Sequence, residues 1–391
     1  EITADQIEEV PQDLSEEVDE DDEAARAELL LQASQAPLVA ANHAALLGIY
    51  KRAGQIDRAY LSALALEELG AVDAEAETIL EGCRPAGLRM RSPLDADAWA
   101  ALRAPGKDEV LEDLFRSIGR AARVVRLEER KAKKRLIVLD EARKQPEDST
   151  ASIVRTFRWA AEITTVDCPD LYVLDRVAGD MIAIPAAQPR TALGPQVLTG
   201  LSTIDLAFLC GRHLTYYRPE YSVLIDFPTL NELSLLVLAA LQLALPAMPV
   251  PDGVRATVAS LRGGLKHHLT ADERETMSAA VAKLDARGGR VSLQAWIKSV
   301  ELTAARVGLL LSGDLRAAMS RMRNESRNIA ELSVDAKRLD LLGFCVGGDL
   351  ATLRERFFAP ATLRPPRQSG VMGRVPYVSA MDRGGIEGMA V

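Results

Sequence analysis

Along most of this chain apolar residues return every three or four positions, and the pattern gives way to short apolar runs only between about residues 171 and 198. A period near 3.6 is the signature of amphipathic helices. Short runs bounded by glycine and proline read as strands. The residue types agree. Hydrophobic residues make up 48% of the sequence and are mostly alanine, leucine and valine, while aromatics reach only 4%. Leucine and alanine favour helix, whereas aromatic and β-branched residues favour strand. The expectation is a mainly α protein with a small β-sheet, of the α+β class. Its strands are expected at Leu171-Tyr172-Val173-Leu174, Met181-Ile182-Ala183-Ile184 and Gln196-Val197-Leu198.

Four segments are expected. Residues 1–23 form an acidic tail: the stretch from Glu1 to Ala25 holds twelve acidic residues and no basic one, which accounts for the net charge of −9. Such a run repels itself and offers little to bury, so it reads as disordered rather than as an ordered acidic docking strip. Residues 24–150 are helical, 151–359 form a second domain, and 360–391 form a Pro/Gly-rich tail. From Ala24 to Gly70 two amphipathic halves flank Gly54-Gln55 as a helical hairpin. Trp99 with Leu94 and Leu102 marks a short helix, and one or two long helices fill Asp108 to Lys144. After the sheet, helices are expected over 202–217, 229–245, 253–265, 270–287 and 292–312, with two more beyond.

Several functions are disfavoured. Cys83, Cys168, Cys210 and Cys345 stand far apart without a CxxC pair, which suggests neither a zinc knuckle nor a disulfide framework and fits a reducing, cytoplasmic setting. The longest apolar stretch, 233–250, contains Ser234, Gln242, Pro246 and Pro249 and falls short of a membrane span. Arg120 to Arg135 is basic enough to suggest nucleic acid. Glu128 and Glu129 interrupt it, however, and Val124, Val125 and Leu127 mark an apolar face, so a solvated helix face is the better reading and no nucleic-acid partner is expected. No GxSxG, GxxxxGK[ST] or strand-following GxGxxG occurs. The glycines from Gly343 to Gly348 read as a helix-ending loop. His43 reads as a packing residue, and Cys210 reads as a buried helix residue rather than a nucleophile served by His213.

Two resemblances add to this reading. Tyr50, Gly54 and Ala59 place an aromatic, a turn glycine and a small residue around a helical bend at offsets that resemble one tetratricopeptide repeat; no second copy follows about 34 residues later, where Arg84, Leu88 and Pro93 stand instead. The segment Phe208-Leu209-Cys210-Gly211-Arg212-His213-Leu214-Thr215-Tyr216-Tyr217-Arg218-Pro219 resembles the metal-binding helix of the HtpX-like and CAAX-prenyl endopeptidase family. In that family this helix reads G-H-E-L-x-H. The HExxH spacing sets two imidazoles one turn apart to hold zinc, with the glutamate as general base. Here those three positions are Arg212, His213 and Tyr216, while Gly211 and Leu214 are kept. The family's third ligand lies in a segment E-x-x-A-D followed by a basic residue and glycine. Glu301-Leu302-Thr303-Ala304-Ala305-Arg306-Val307-Gly308 keeps the glutamate, Ala304, Arg306 and Gly308 but carries Ala305 in place of the aspartate.

The resemblance implies a TPR-like helical N-terminal part followed by a degenerate zincin-like domain without metal or other cofactor. Arg212 would set a fixed positive charge where a dication should sit, and Tyr216 is a poor ligand while its phenol is protonated. The implied function is that of a pseudopeptidase, a non-catalytic scaffold for protein–protein interaction or assembly with protein partners and no membrane span. The alternative is a metal-dependent hydrolase with a relocated site drawn from His213, His267, His268 and Glu301. If the two landmark helices still cross, Arg212 and Glu301 are expected within salt-bridge distance, with Tyr216 donating from the same helix face.

Overall fold

The structure is a computed structural model that describes residues 20–358 apart from residues 178 and 324–329. Residues 1–19 of the acidic tail and the Pro/Gly-rich end lie outside the described residues. The architecture is mainly helical with one three-stranded sheet. Helices α1 (Glu20–Gln35), α2 (Ala40–Arg52), α3 (Ile56–Leu69), α4 (Ala74–Cys83), α5 (Ala96–Leu102) and α6 (Glu109–Ala132) precede α7 (Ser152–Thr164). Strands β1 (Asp170–Val173), β2 (Met181–Ile184) and β3 (Arg190–Leu193) follow. The chain then runs through α8 (Thr203–Thr215), α9 (Val223–Asp226), α10 (Leu230–Ala244), α11 (Arg255–His268), α12 (Ala271–Ala286) and α13 (Leu293–Ser312), and finishes with α14 (Leu315–Arg323), α15 (Val334–Val346) and α16 (Gly348–Phe357). No helix among the described residues is long and apolar enough to cross a membrane.

The sheet order is β1-β3-β2, with β1 parallel and β2 antiparallel to the central β3. Two strands lie where the apolar runs placed them, but the third does not. Gln196-Val197-Leu198 is no strand: Pro195–Val197 forms a short 3-10 turn, and the central strand is Arg190–Leu193. Proline brings no N–H to a ladder, so a run that begins at Pro195 is a poor central strand. Thr191, Ala192 and Leu193 are buried in its place.

The expected helical hairpin over 24–70 is three helices, because Pro37 interrupts the first half between α1 and α2. Around the bend Gly54 takes φ +66° and Tyr50 and Ala59 are buried, as a close helix–helix turn requires. Of the one or two long helices expected across 108–144 there is one, and it stops at Ala132, where Lys134 adopts φ +53° and the Arg135 amide closes on the Arg130 carbonyl at 2.7 Å. Among the described residues beyond α13 there are three helices where two were expected.

The hydrophobic core does not divide at residue 150. One apolar cluster joins α1–α5 to α7, α8 and α14–α16. Polar contacts tie the same parts: Arg354 of α16 donates two hydrogen bonds of 2.7 Å to Asp57 of α3, and the Tyr60 hydroxyl donates to the Gly313 carbonyl at 3.1 Å. A second cluster gathers α6 and α9–α12. Helix α13 spans both. Its first half contributes Trp296, Ile297 and Val300 to the second cluster, and its second half contributes Ala305, Val307 and Leu309 to the first. Glu301 therefore lies at the seam between two cores.

Candidate functional site

Two helices with strong local start signals carry the site. Ser202 and Asp205 form a reciprocal capping box at the start of α8, and Ser292 caps α13, which ends on Gly313 in the left-handed conformation. The two helices meet where neither has a side chain. A Cβ built on Gly211 would lie 2.9 Å from Leu311 Cδ2 and 3.3 Å from Gly308 Cα, and one built on Gly308 would lie 2.8 Å from the Phe208 carbonyl oxygen. This close approach sets Arg212, one position beyond Gly211, against Glu301, two helical turns before Gly308.

The structure brings Arg212, Tyr216 and Glu301 together. The Arg212 guanidinium donates to Glu301 Oε1, and the Tyr216 hydroxyl donates to Oε2 of the same carboxylate. A third donor comes from α15: the Lys337 ammonium stands 2.8 Å from Glu301 Oε1. Glu301 and Lys337 are each only 2% exposed and Arg212 7%, so this is a desolvated ion cluster. Burial alone would push the Glu301 carboxyl upward. The Arg212 and Lys337 charges, with hydrogen bonds from Lys337 and Tyr216, outweigh it and hold the group below the usual carboxylate range. Glu301 is thus an ionised acceptor whose lone pairs are directed at protein donors.

The other expected site residues fall elsewhere. His213 turns to the sheet, with Nε2 3.0 Å from Thr191 Oγ1 and its ring 5.9 Å from that of Phe157. Ala304 and Ala305 are completely buried in helix packing. Arg306 engages Asp340 of α15 through two hydrogen bonds of 2.9 and 2.6 Å and lies over the Phe344 ring. Helices α13 and α15 are thereby joined by two pairs of opposite polarity, Glu301 with Lys337 and Arg306 with Asp340. His267 and His268 lie at the end of α11, where His268 contacts Glu128 of α6 at 3.0 Å. The set His213, His267, His268 and Glu301 is not assembled as one site, because its members sit on separate faces with separate partners. Among the described residues no group of three or more His, Cys, Asp or Glu is placed to hold a metal ion.

Lys337 escaped the sequence reading although a signal existed. It shares one stripe of α15 with Leu341, Phe344 and Cys345, all buried, and a lysine on an apolar stripe needs an acidic partner. The first part of the basic run of α6 is engaged in ion pairs. Arg120 pairs with Glu273 at 2.6 Å, Arg123 with Asp226 at 3.0 Å and Arg126 with Glu232 at 2.6 Å. His43 is buried, as its packing role requires, with Nε2 2.7 Å from the Pro37 carbonyl oxygen. A cavity of about 620 Å³ opens beside the end of α8, between Tyr217, Arg218 and Glu220 on one side and Arg123 and Leu127 of α6 on the other. No family model, curated protein or solved structure matches this chain.

Proposed function

We propose that this chain is a pseudopeptidase: a non-catalytic protein of zincin-like ancestry, with a TPR-like helical part, that acts as a scaffold for a protein partner or assembly in a reducing, cytoplasmic setting. The observation that carries the reading is the saturation of Glu301. The carboxylate that a metallopeptidase would offer to zinc here accepts from Arg212, Lys337 and Tyr216, so fixed protein charge stands where a dication would be needed. Two features support a binding role. The strand β2 is an edge of the sheet, the position at which an extended peptide adds a strand, and the bend formed by Tyr50, Gly54 and Ala59 resembles that of a tetratricopeptide hairpin. Nucleic acid is not the proposed ligand, since Arg120, Arg123 and Arg126 are committed to carboxylates.

The test is metal stoichiometry of the purified chain by mass spectrometry after growth in zinc-supplemented medium, together with a chelator-sensitive peptidase assay. Zinc well below one per chain and no chelator-sensitive cleavage are expected. Near-stoichiometric zinc would overturn the reading in favour of a metal-dependent hydrolase.

A further inference from the structure

The end of α6 and the loop after it carry a feature that the proposed function does not use. Every residue from Lys131 to Val138 is exposed, eight in a row. They read Lys-Ala-Lys-Lys-Arg-Leu-Ile-Val, four cations followed at once by three bulky aliphatics. Leu136 is 41%, Ile137 49% and Val138 90% exposed. The loop is held at both ends: its start is the tight turn at Lys134, and its end is Leu139, buried against Tyr172, Ile184 and Ala192 of the sheet. Within α6 the contrast is sharp. Arg116, Arg120, Arg123 and Arg126 are held by carboxylates, and Lys133 pairs with Glu129 at 2.6 Å, whereas Lys131, Lys134 and Arg135 take part in no ion pair among the described residues.

The geometry points to this loop as a reversible docking site for an anionic lipid surface, with the cations at the headgroups and Leu136, Ile137 and Val138 entering the interface. Charge complementarity calls for an anionic partner, and the aliphatics decide which one. A phosphate backbone gains nothing from three aliphatic side chains without an aromatic to stack on a base. Three consecutive side chains also cannot all project to one side of a chain, so a protein partner docking on one face would leave part of the trio in water. A bilayer interface surrounds the loop and accepts all three, while basic residues are attracted to an anionic leaflet. Neither component suffices alone, which makes the attachment weak and salt-sensitive.

The test is sedimentation of the full chain with vesicles of phosphatidylcholine alone or with about 30% phosphatidylserine, a content that gives a negative surface potential. Binding is expected only to the anionic vesicles, weakened about tenfold or more by raising salt to about 0.5 M, where screening reaches a few ångströms. The paired change Ile137→Asp with Val138→Asp and the paired change Lys131→Glu with Lys134→Glu should each reduce it by a similar factor at unchanged melting temperature. Should the aspartate pair fail to fold, Ile137→Ser with Val138→Ser takes its place, and should the glutamate pair fail, Lys131→Gln with Lys134→Gln does, since all four side chains are exposed. Failure to bind anionic vesicles, equal binding to neutral ones, or binding that survives the substitutions would overturn the proposal. So would substitution-sensitive binding to a nucleic-acid duplex without vesicle binding.

Discussion

The Lys337 ammonium on α15 and the Arg212 guanidinium on α8 converge on one oxygen, Oε1 of Glu301, so a single carboxylate on α13 ties three helices together. This makes Glu301 the asymmetric member of the cluster. Without it two buried cations lose their common partner, whereas loss of either cation leaves the other in place. Glu301→Leu is therefore expected to cost about 3–5 kcal/mol, and Arg212→Leu or Lys337→Met noticeably less. Changing all three to apolar residues should recover part of the loss. Urea denaturation of the four variants checks this, and an Arg212→Leu cost above that of Glu301→Leu would refute the shared-acceptor account.

The same carboxylate shapes the acid limb of stability. Its folded pKa lies below the ordinary value of 4.5, so its contribution is fully present above that value and is lost as pH falls through the depressed folded one. Asp226 and Glu112 act in the opposite sense, because burial raises their carboxyls. Glu301→Gln should accordingly flatten the decline of stability between about pH 5 and pH 3 relative to the wild type. Parallel curves for the two proteins, measured by urea melts across that range, would count against an ionised Glu301.

Close approach of α8 and α13 predicts an order between two glycines. A methyl at Gly308 meets backbone, the Phe208 carbonyl, while one at Gly211 first meets the movable end of Leu311. Gly308→Ala should lower stability by about 1–3 kcal/mol despite the helix propensity of alanine, and Gly211→Ala should lower it less. Melting temperatures of the two variants decide it.

Arg354 is 2% exposed, pairs with Asp57 and lies 4.7 Å from the Phe358 ring centroid. It links α16 to α3. Asp57→Ala is expected to strand this guanidinium and cost about 3–5 kcal/mol, with a single unfolding transition retained because both ends belong to one core. Two separate transitions in the wild type, followed by circular dichroism and tryptophan fluorescence, would show that the segments before and after residue 150 unfold independently.

Local chemistry alone makes part of this protein legible in its sequence. The helix starts at Ser202 and Ser292 are capping residues, Gly313 ends α13, and the apolar stripes define buried faces, so α8 and α13 lie close to where the pattern places them. The meeting of Arg212 with Glu301 is an expectation drawn from a resemblance, and it is the arrangement observed. Tertiary structure decided the rest. β3 was hidden because Arg190 and Thr191 interrupt its apolar run, and a central strand is recognised by what covers it rather than by its own alternation. The role of Lys337 was only half legible: its place on an apolar stripe calls for an acidic partner, but which acid arrives beside it is settled only when α13 packs against α15. The union of α1–α5 with α14–α16 was equally out of reach, since an amphipathic stripe states that a face is buried and leaves its partner unnamed. The sequence determined which segments are helical and which faces they hide. Only the folded chain decided which hidden faces meet, because that choice rests on contacts between residues hundreds of positions apart, such as Asp57 with Arg354.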